Sequence, residues 1–394
     1  MGESEQATYQ MWNERDCREV VDATFTVLAE TGCKVDNSEA RQLLADAGCA
    51  VDGANVKVPR QVMEGALRSV PKTLKLYDRF GNVAIDLKPR NTYFGPVITS
   101  VYTYDVKAQV RRYGTKLDAR RAVLACDALP HISWASTMAG IFDGVKELAD
   151  LYEVQTMLPN TVKPFMYWAS SLDHLKREFD MFEVVFDAQT LVEKPAQIAL
   201  VCPMDPLTHT DDGMAQVIYL ARRSAPTVYI AGISFGSSGP IALAGNVVVG
   251  LADTFIGLLV SQLANPGAPF VASKFTDNLD MRTMTPTHSR PEADQINAAT
   301  ADVFRYLGVP FCLNFGATDS GTFDQVAAFD LAVQLYTAKL AGSNLNFSLG
   351  ALESGNSSSP MMLAYADAVL SYLDVLTARP PVTPETLAVD EIAE

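Results

Sequence analysis

From about residue 91 the chain repeats one pattern eight times: a short apolar run with strand character, then a longer stretch with apolar residues at helical spacing. The runs are Asn91–Val97, Ile132–Met138, Lys163–Ala169, Gln197–Cys202, Thr227–Ile233, Pro269–Ala272, Pro310–Phe315 and Leu345–Leu349. Helix-like stretches follow each of them, from Lys116–Ala128 after the first to Met361–Leu376 after the last, which has Pro360 at its start. Eight strand–helix units are the number that closes a parallel barrel, so the predicted fold class is α/β, a (β/α)8 TIM barrel over residues 89–394. A doubly wound open sheet is the alternative, because periodicity does not show closure.

Residues 1–88 read differently. Helical spacing over Asp16–Glu30, Glu39–Ala47 and Arg60–Val70 is followed by a hairpin pattern over Leu74–Leu87. This predicts an N-terminal helical cap with a hairpin, docked over one end of the barrel. No basic and apolar leader precedes it, and Val247–Ala264, although apolar, is interrupted by Asp253. The expectation is a cytoplasmic protein with no membrane partner.

Composition excludes more than it assigns. The net charge of −15 argues against nucleic acid, which needs a basic surface, and favours cationic ligands. Six cysteines without CxxC spacing and four scattered histidines argue against a metal site.

In a barrel the chemistry lies at the C-terminal strand ends. There the sequence places Trp134, Tyr167, Trp168, Phe235 and Phe315, with the acids Asp319 and Glu353. Aromatic faces with nearby acids suit a quaternary ammonium group. Gly232-Ile-Ser234-Phe-Gly236 has the strand-to-helix context of a nucleophile elbow, but only His288 lies downstream of Ser234. Ser237 and Gly239, before the next helix, offer amides to an anion.

Several runs resemble the trimethylamine methyltransferase superfamily: Pro203-Met-Asp-Pro-Leu207, Gly239-Pro-Ile-Ala-Leu-Ala-Gly245, Gln262-Leu-Ala-Asn-Pro-Gly-Ala-Pro269, Asp280-Met-Arg282, Thr318-Asp-Ser320 with Asp324-Gln325, and Leu340-Ala-Gly342 with Leu352-Glu-Ser-Gly355. The resemblance implies transfer of a methyl group from a methylated amine to the Co(I) of a corrinoid. No Asp-x-His-x-x-Gly run is present, so the corrinoid is expected on a partner protein rather than bound tightly here. No pyrrolysine is present either, which resembles the branch acting on quaternary amines such as glycine betaine. The family's C-terminal tail is expected to be absent beyond Glu394.

The resulting expectation is a corrinoid-dependent methyltransferase, forming a homo-oligomer, for a quaternary or tertiary amine, with a zwitterionic betaine favoured. Trp134, Tyr167, Trp168, Phe235 and Phe315 would cage the ammonium, and Asp319 and Glu353 would balance its charge. Ser237 and Gly239, with Lys274 or Arg282, would hold the carboxylate. The alternatives are a non-catalytic amine-binding or structural barrel, and a serine hydrolase using Ser234.

Overall fold

The helix Leu243–Ala264 is long and apolar enough to cross a membrane, yet most of its residues are buried inside the protein. A helix that is apolar on all sides needs cover on all sides. The architecture supplies it. Residues 7–393 are described by the structure, a computed structural model; the first six residues of the polar N-terminal stretch and Glu394 lie outside them.

The chain opens with α1 (Glu14–Glu30), β1 (Cys33–Val35), α2 (Ser38–Asp46), β2 (Ala50–Asp52), β3 (Asn55–Lys57) and α3 (Arg60–Ser69). The hairpin β4 (Leu74–Tyr77) and β5 (Val83–Leu87) follows. The alternation begins at β6 (Tyr93–Pro96), with β7 (Thr99–Ser100), β8 (Tyr102–Asp105) and β9 (Val110–Tyr113) leading into α4 (Lys116–Ala128). Next come β10 (Met138–Ala139) and α5 (Ala149–Asn160), then β11 (Phe165–Tyr167) with α6 (Leu172–Val185) and α7 (Ala188–Glu193). After β12 (Gln197–Val201) lie β13 (Thr208–His209) and α8 (Asp211–Arg222), then β14 (Thr227–Phe235) and α9 (Leu243–Ala264). The chain continues with β15 (Phe270–Asp280), β16 (Thr285–Thr287), α10 (Pro291–Leu307), β17 (Phe311–Asn314), α11 (Gln325–Ala341), β18 (Leu345–Leu349), the short β19 (Ala351–Leu352) and β20 (Ser357–Ser358), and α12 (Pro360–Thr377), followed by the short α13 (Pro384–Leu387) and α14 (Val389–Ala393).

Seven of these strands form one curled parallel sheet in the order β11-β12-β14-β15-β17-β18-β6. Residues 132–135 lie between its two edges: Ile132 bridges Phe94 and Ala135 bridges Phe165. The Ser133 amide donates to the Phe94 carbonyl at 2.7 Å, and the Met166 amide to that of Ala135 at 3.1 Å. A full strand over Ile132–Met138 does not form. Met138 takes φ +62° and turns the chain away to pair with β7 instead. The outer helices touch in sequence, from α4 against α5 around to α12 against α4.

The predicted cap divides in two. Helices α1, α2 and α3 pack on the flank of α9 rather than over an end, with Phe25 and Phe255 ring centroids 6.1 Å apart. The hairpin does close an end. Leu74, Leu76, Ile85 and Leu87 join the inner core formed by Trp134, Met166, Ile198, Val228 and Val271. Its backbone bonds reach Val162 and Pro195, which precede β11 and β12, so the closed end is the N-terminal one.

The inner face of α9 lies against β14 and β15, where a Cβ at Gly257 would stand 2.4 Å from the Tyr229 ring. Gly257→Ala is therefore expected to lower unfolding stability by about 1–3 kcal/mol, read from denaturant titration, through overpacking. A neutral substitution would show that the sheet and α9 have room to separate.

Candidate functional site

Strand alternation sorts the side chains at the open end. In β11, Phe165 and Tyr167 point outward to the helix layer, while Met166 and the following Trp168 belong to the inner core. Ile198 and Leu200 of β12 also face inward. Past the C-terminal ends of β6, β11 and β12 a cavity of about 550 Å³ opens. Ile98, Thr99, Trp168, Ser170, Leu200 and Cys202 form its walls, with Thr210, Asp212 and Gln216 from the start of α8.

The Trp168 indole is held from behind by a chain of hydrogen bonds. Its Nε1 donates to Thr99 Oγ1 at 2.9 Å, and Thr99 Oγ1 donates to Glu153 Oε2 at 2.8 Å. Thr137 Oγ1 donates to the same carboxyl oxygen at 2.9 Å. Glu153, on α5, is buried, and its Oε1 has no partner. Burial pushes its carboxyl up to about 8, against the pull of the hydrogen bonds from Thr99 and Thr137. Beside it, buried Asp150 accepts from the Ser170 amide at 2.7 Å and meets His174 Nδ1 at 2.9 Å. The cavity is thus aromatic and aliphatic on one side, with carboxyl groups in and behind its wall.

A second set of side chains stands on the strands opposite. Phe275 of β15 and Phe347 of β18 belong to or pack on the inner core, with ring centroids 5.9 Å apart. His288 meets the Phe275 ring edge-on at 4.9 Å. Its Nδ1 is buried without a partner, and burial pushes the imidazole below its ordinary value.

Of the five aromatics read from the sequence, Trp168 alone lines the cavity. Tyr167 stacks edge-on against Phe182 at 4.9 Å in the helix layer, and Phe315 is fully buried in that outer core. Phe235 also packs on the outer core. Trp134 is buried across Gly95, where a Cβ would come within 1.9 Å of the indole, deep among the hairpin residues. Odd and even positions were not separated in the sequence, and the strand parity decides each case.

The acids and bases also move. Asp319 accepts from the His288 amide at 2.7 Å and Ser354 Oγ at 2.8 Å, tying two loops together. Glu353 pairs with Arg111 at 2.9 Å. Lys274 is fully buried and points at α9, where a Cβ on Gly250 would touch its stem, and its Nζ donates to Thr276 Oγ1. Arg282 sits on the exposed turn between β15 and β16, its amide bonded to Asp280. The Ser237 and Gly239 amides donate to the Ser234 carbonyl, so that turn satisfies itself instead of waiting for an anion. The Ser234 amide donates to Ser238 Oγ at 3.0 Å, and among the described residues no histidine bonds to Ser234. The nucleophile-elbow reading fails on that geometry. Among the described residues no three His, Cys, Asp or Glu side chains are grouped to hold a metal.

Thr99, Glu153, Ser170, Asp212 and Gln216 lie outside the eight apolar runs that periodicity marks, in the short β7, in the loop after β11 and within α5 and α8, so strand-end reasoning does not reach them. Phe275 had a signal: it continues the inward parity of Val271 and Ser273, had Pro269–Ala272 been read as a longer strand.

The arrangement of sheet and helices matches that of Methanosarcina barkeri monomethylamine methyltransferase, with a TM-score of 0.63 over 93% of this chain and 78% of that one. At 10% identity this is a likeness of fold. Sequence carries the assignment further. Trimethylamine methyltransferase (MTTB), as a family, matches residues 3–394, and the chain belongs to that family. It is 26% identical to trimethylamine methyltransferase MttB of Desulfitobacterium hafniense (strain DSM 10664 / DCB-2) over 338 residues, covering 86% of this chain and 68% of the relative. Glycine betaine methyltransferase of D. hafniense (strain Y51) is 26% identical over 342 residues, covering 85% and 70%.

An acid raised in the folded state holds its proton there while the unfolded chain has lost it, so stability falls as pH rises from about 4.5 to about 8. Glu153→Gln keeps an oxygen for Thr99 and Thr137 and removes that loss. The variant is expected to match the parent near pH 5 and to exceed it by on the order of 2–4 kcal/mol near pH 8, measured by denaturant unfolding. An equal or lower stability at pH 8 would show that Glu153 is ionised and satisfied.

Proposed function

We propose that this chain closes as a (β/α)8 barrel and transfers a methyl group from a methylated ammonium ion, held in the cavity under Trp168, to the reduced cobalt of a corrinoid carried by a separate protein. The circular order of the helices and the bridges through residues 132–135 support closure. The observation that carries the function is Trp168 facing an acidic cavity at the C-terminal strand ends, in a chain of this family. The relatives named for trimethylamine and for glycine betaine support an amine substrate.

The corrinoid supplies the nucleophile, so the chain's own task is binding, orientation and exclusion of water. A quaternary nitrogen is already charged and leaves as a neutral amine, which removes the need for a protein acid. Trp168 offers its π face to the cation, and the Thr99–Glu153 chain fixes the plane of the ring. Ile98 and Leu200 keep the ammonium in apolar surroundings.

Methyl transfer to free cob(I)alamin, followed by the absorbance of the methylated product, tests this directly. The parent is expected to turn over with a methylated amine, and Trp168→Ala to lose about 3- to 30-fold in kcat/KM. Unchanged kcat/KM would place the ammonium elsewhere.

A further inference from the structure

A zwitterionic amine needs two counter-sites a few ångströms apart, one for the ammonium and one for the carboxylate. The cavity under Trp168 has the first and lacks the second. Among the described residues Asp212 is its one charged lining residue, and no lysine or arginine lines it. Lys274 is sealed against α9, and the Ser237 and Gly239 amides are spent on the Ser234 carbonyl. His174, the nearby imidazole, directs its Nδ1 to Asp150 and Ser170 and is not part of the wall.

The remaining polar groups on the wall are neutral. Gln216 commits its Nε2 to Asp212 Oδ2 at 2.6 Å and the Ala169 carbonyl at 3.3 Å. Both amide protons are thereby used, so what Gln216 has left for a ligand is its oxygen, an acceptor. Asp212 Oδ1 accepts from the Leu172 amide at 2.9 Å, which fixes the carboxylate at the cavity edge. An acceptor and a carboxylate side by side suit a hydroxyl donor and repel a second carboxylate.

We infer that the cavity selects a methylated ammonium ion whose remaining arm is neutral and hydroxyl-bearing, a choline-like cation, and rejects betaines. The ammonium lies against Trp168, and the hydroxyl reaches Gln216 and Asp212. This inference rests on the reading of the cavity as the amine site.

Titration calorimetry of the full chain with choline, tetramethylammonium and glycine betaine tests it. Choline is expected to bind at least about tenfold more tightly than glycine betaine, with tetramethylammonium between them. Asp212→Asn is expected to weaken choline about fivefold or more and to narrow the gap to glycine betaine. Because Asp212 also holds the Leu172 amide, a second variant, Cys202→Lys, adds a cation to the wall and is expected to shift the preference toward glycine betaine. Glycine betaine binding as tightly as choline to the parent would overturn the selectivity and leave the amine site standing. Binding of none of the three would overturn both.

Discussion

Burial of α9 between the sheet and the N-terminal helices is the constraint on which the rest of the molecule depends. The helix has no polar face, and each large apolar side chain it hides is worth roughly 1.5–3 kcal/mol. β14 and β15 cover one side; α1, α2 and α3 cover the other. This explains why a barrel-like sheet carries the helices and short strands of residues 14–69 ahead of its hairpin. Those residues complete the core on one flank and leave the open end of the sheet free. The link is also polar: β1 pairs with β13, and His209 of β13 bonds to Tyr229 at 2.7 Å beneath α9.

With the N-terminal end filled by the hairpin, access to the inner core is left to the C-terminal end, where the loops are. On the function proposed above, the balance of forces there favours a cation. Trp168 gives a π face, Asp212 a carboxylate at the edge, and Glu153 a buried carboxyl that positions the ring through Thr99. Glu178, also buried and pushed up to about 10, faces the same helix layer from α6. Burial holds Glu153 and Glu178 in the protonated form, so the charge in the wall is the Asp212 carboxylate, and among the described residues no lysine or arginine in the wall offsets it. The protein's overall negative charge acts in the same direction at longer range.

The strand–helix order was legible because apolar runs and helical spacing differ in period. Lys116–Ala128 and Leu345–Leu349 are found where periodicity puts them. Two strands were not. Ile132–Met138 has the composition of a strand, but Trp134 crossing Gly95 and the left-handed Met138 leave single bridges there. β15 runs on to Asp280 because β14 pairs with it as far as Asn278 and β16 pairs with it through Asp280, whereas Ser273-Lys274 and Thr276-Asp277-Asn278 are polar runs that the sequence shows as a break. The site was less legible for a geometric reason. Tyr167 and Trp168 are adjacent in sequence and lie on opposite faces of the sheet, so only the strand's parity, with a structure to fix it, chooses between them. The hydrogen bonds that orient Trp168 come from residues 69 positions before it and from a helix that precedes its strand, a relation no local pattern records.

Crystals of the protein soaked with a methylated ammonium ion would locate the substrate site most directly. Density for the ammonium against the Trp168 face, within the cavity bounded by Leu200 and Asp212, is the expected result. Density instead beside Phe275 and His288, with the Trp168 cavity holding only solvent, would contradict the assignment and move the site to the opposite strands.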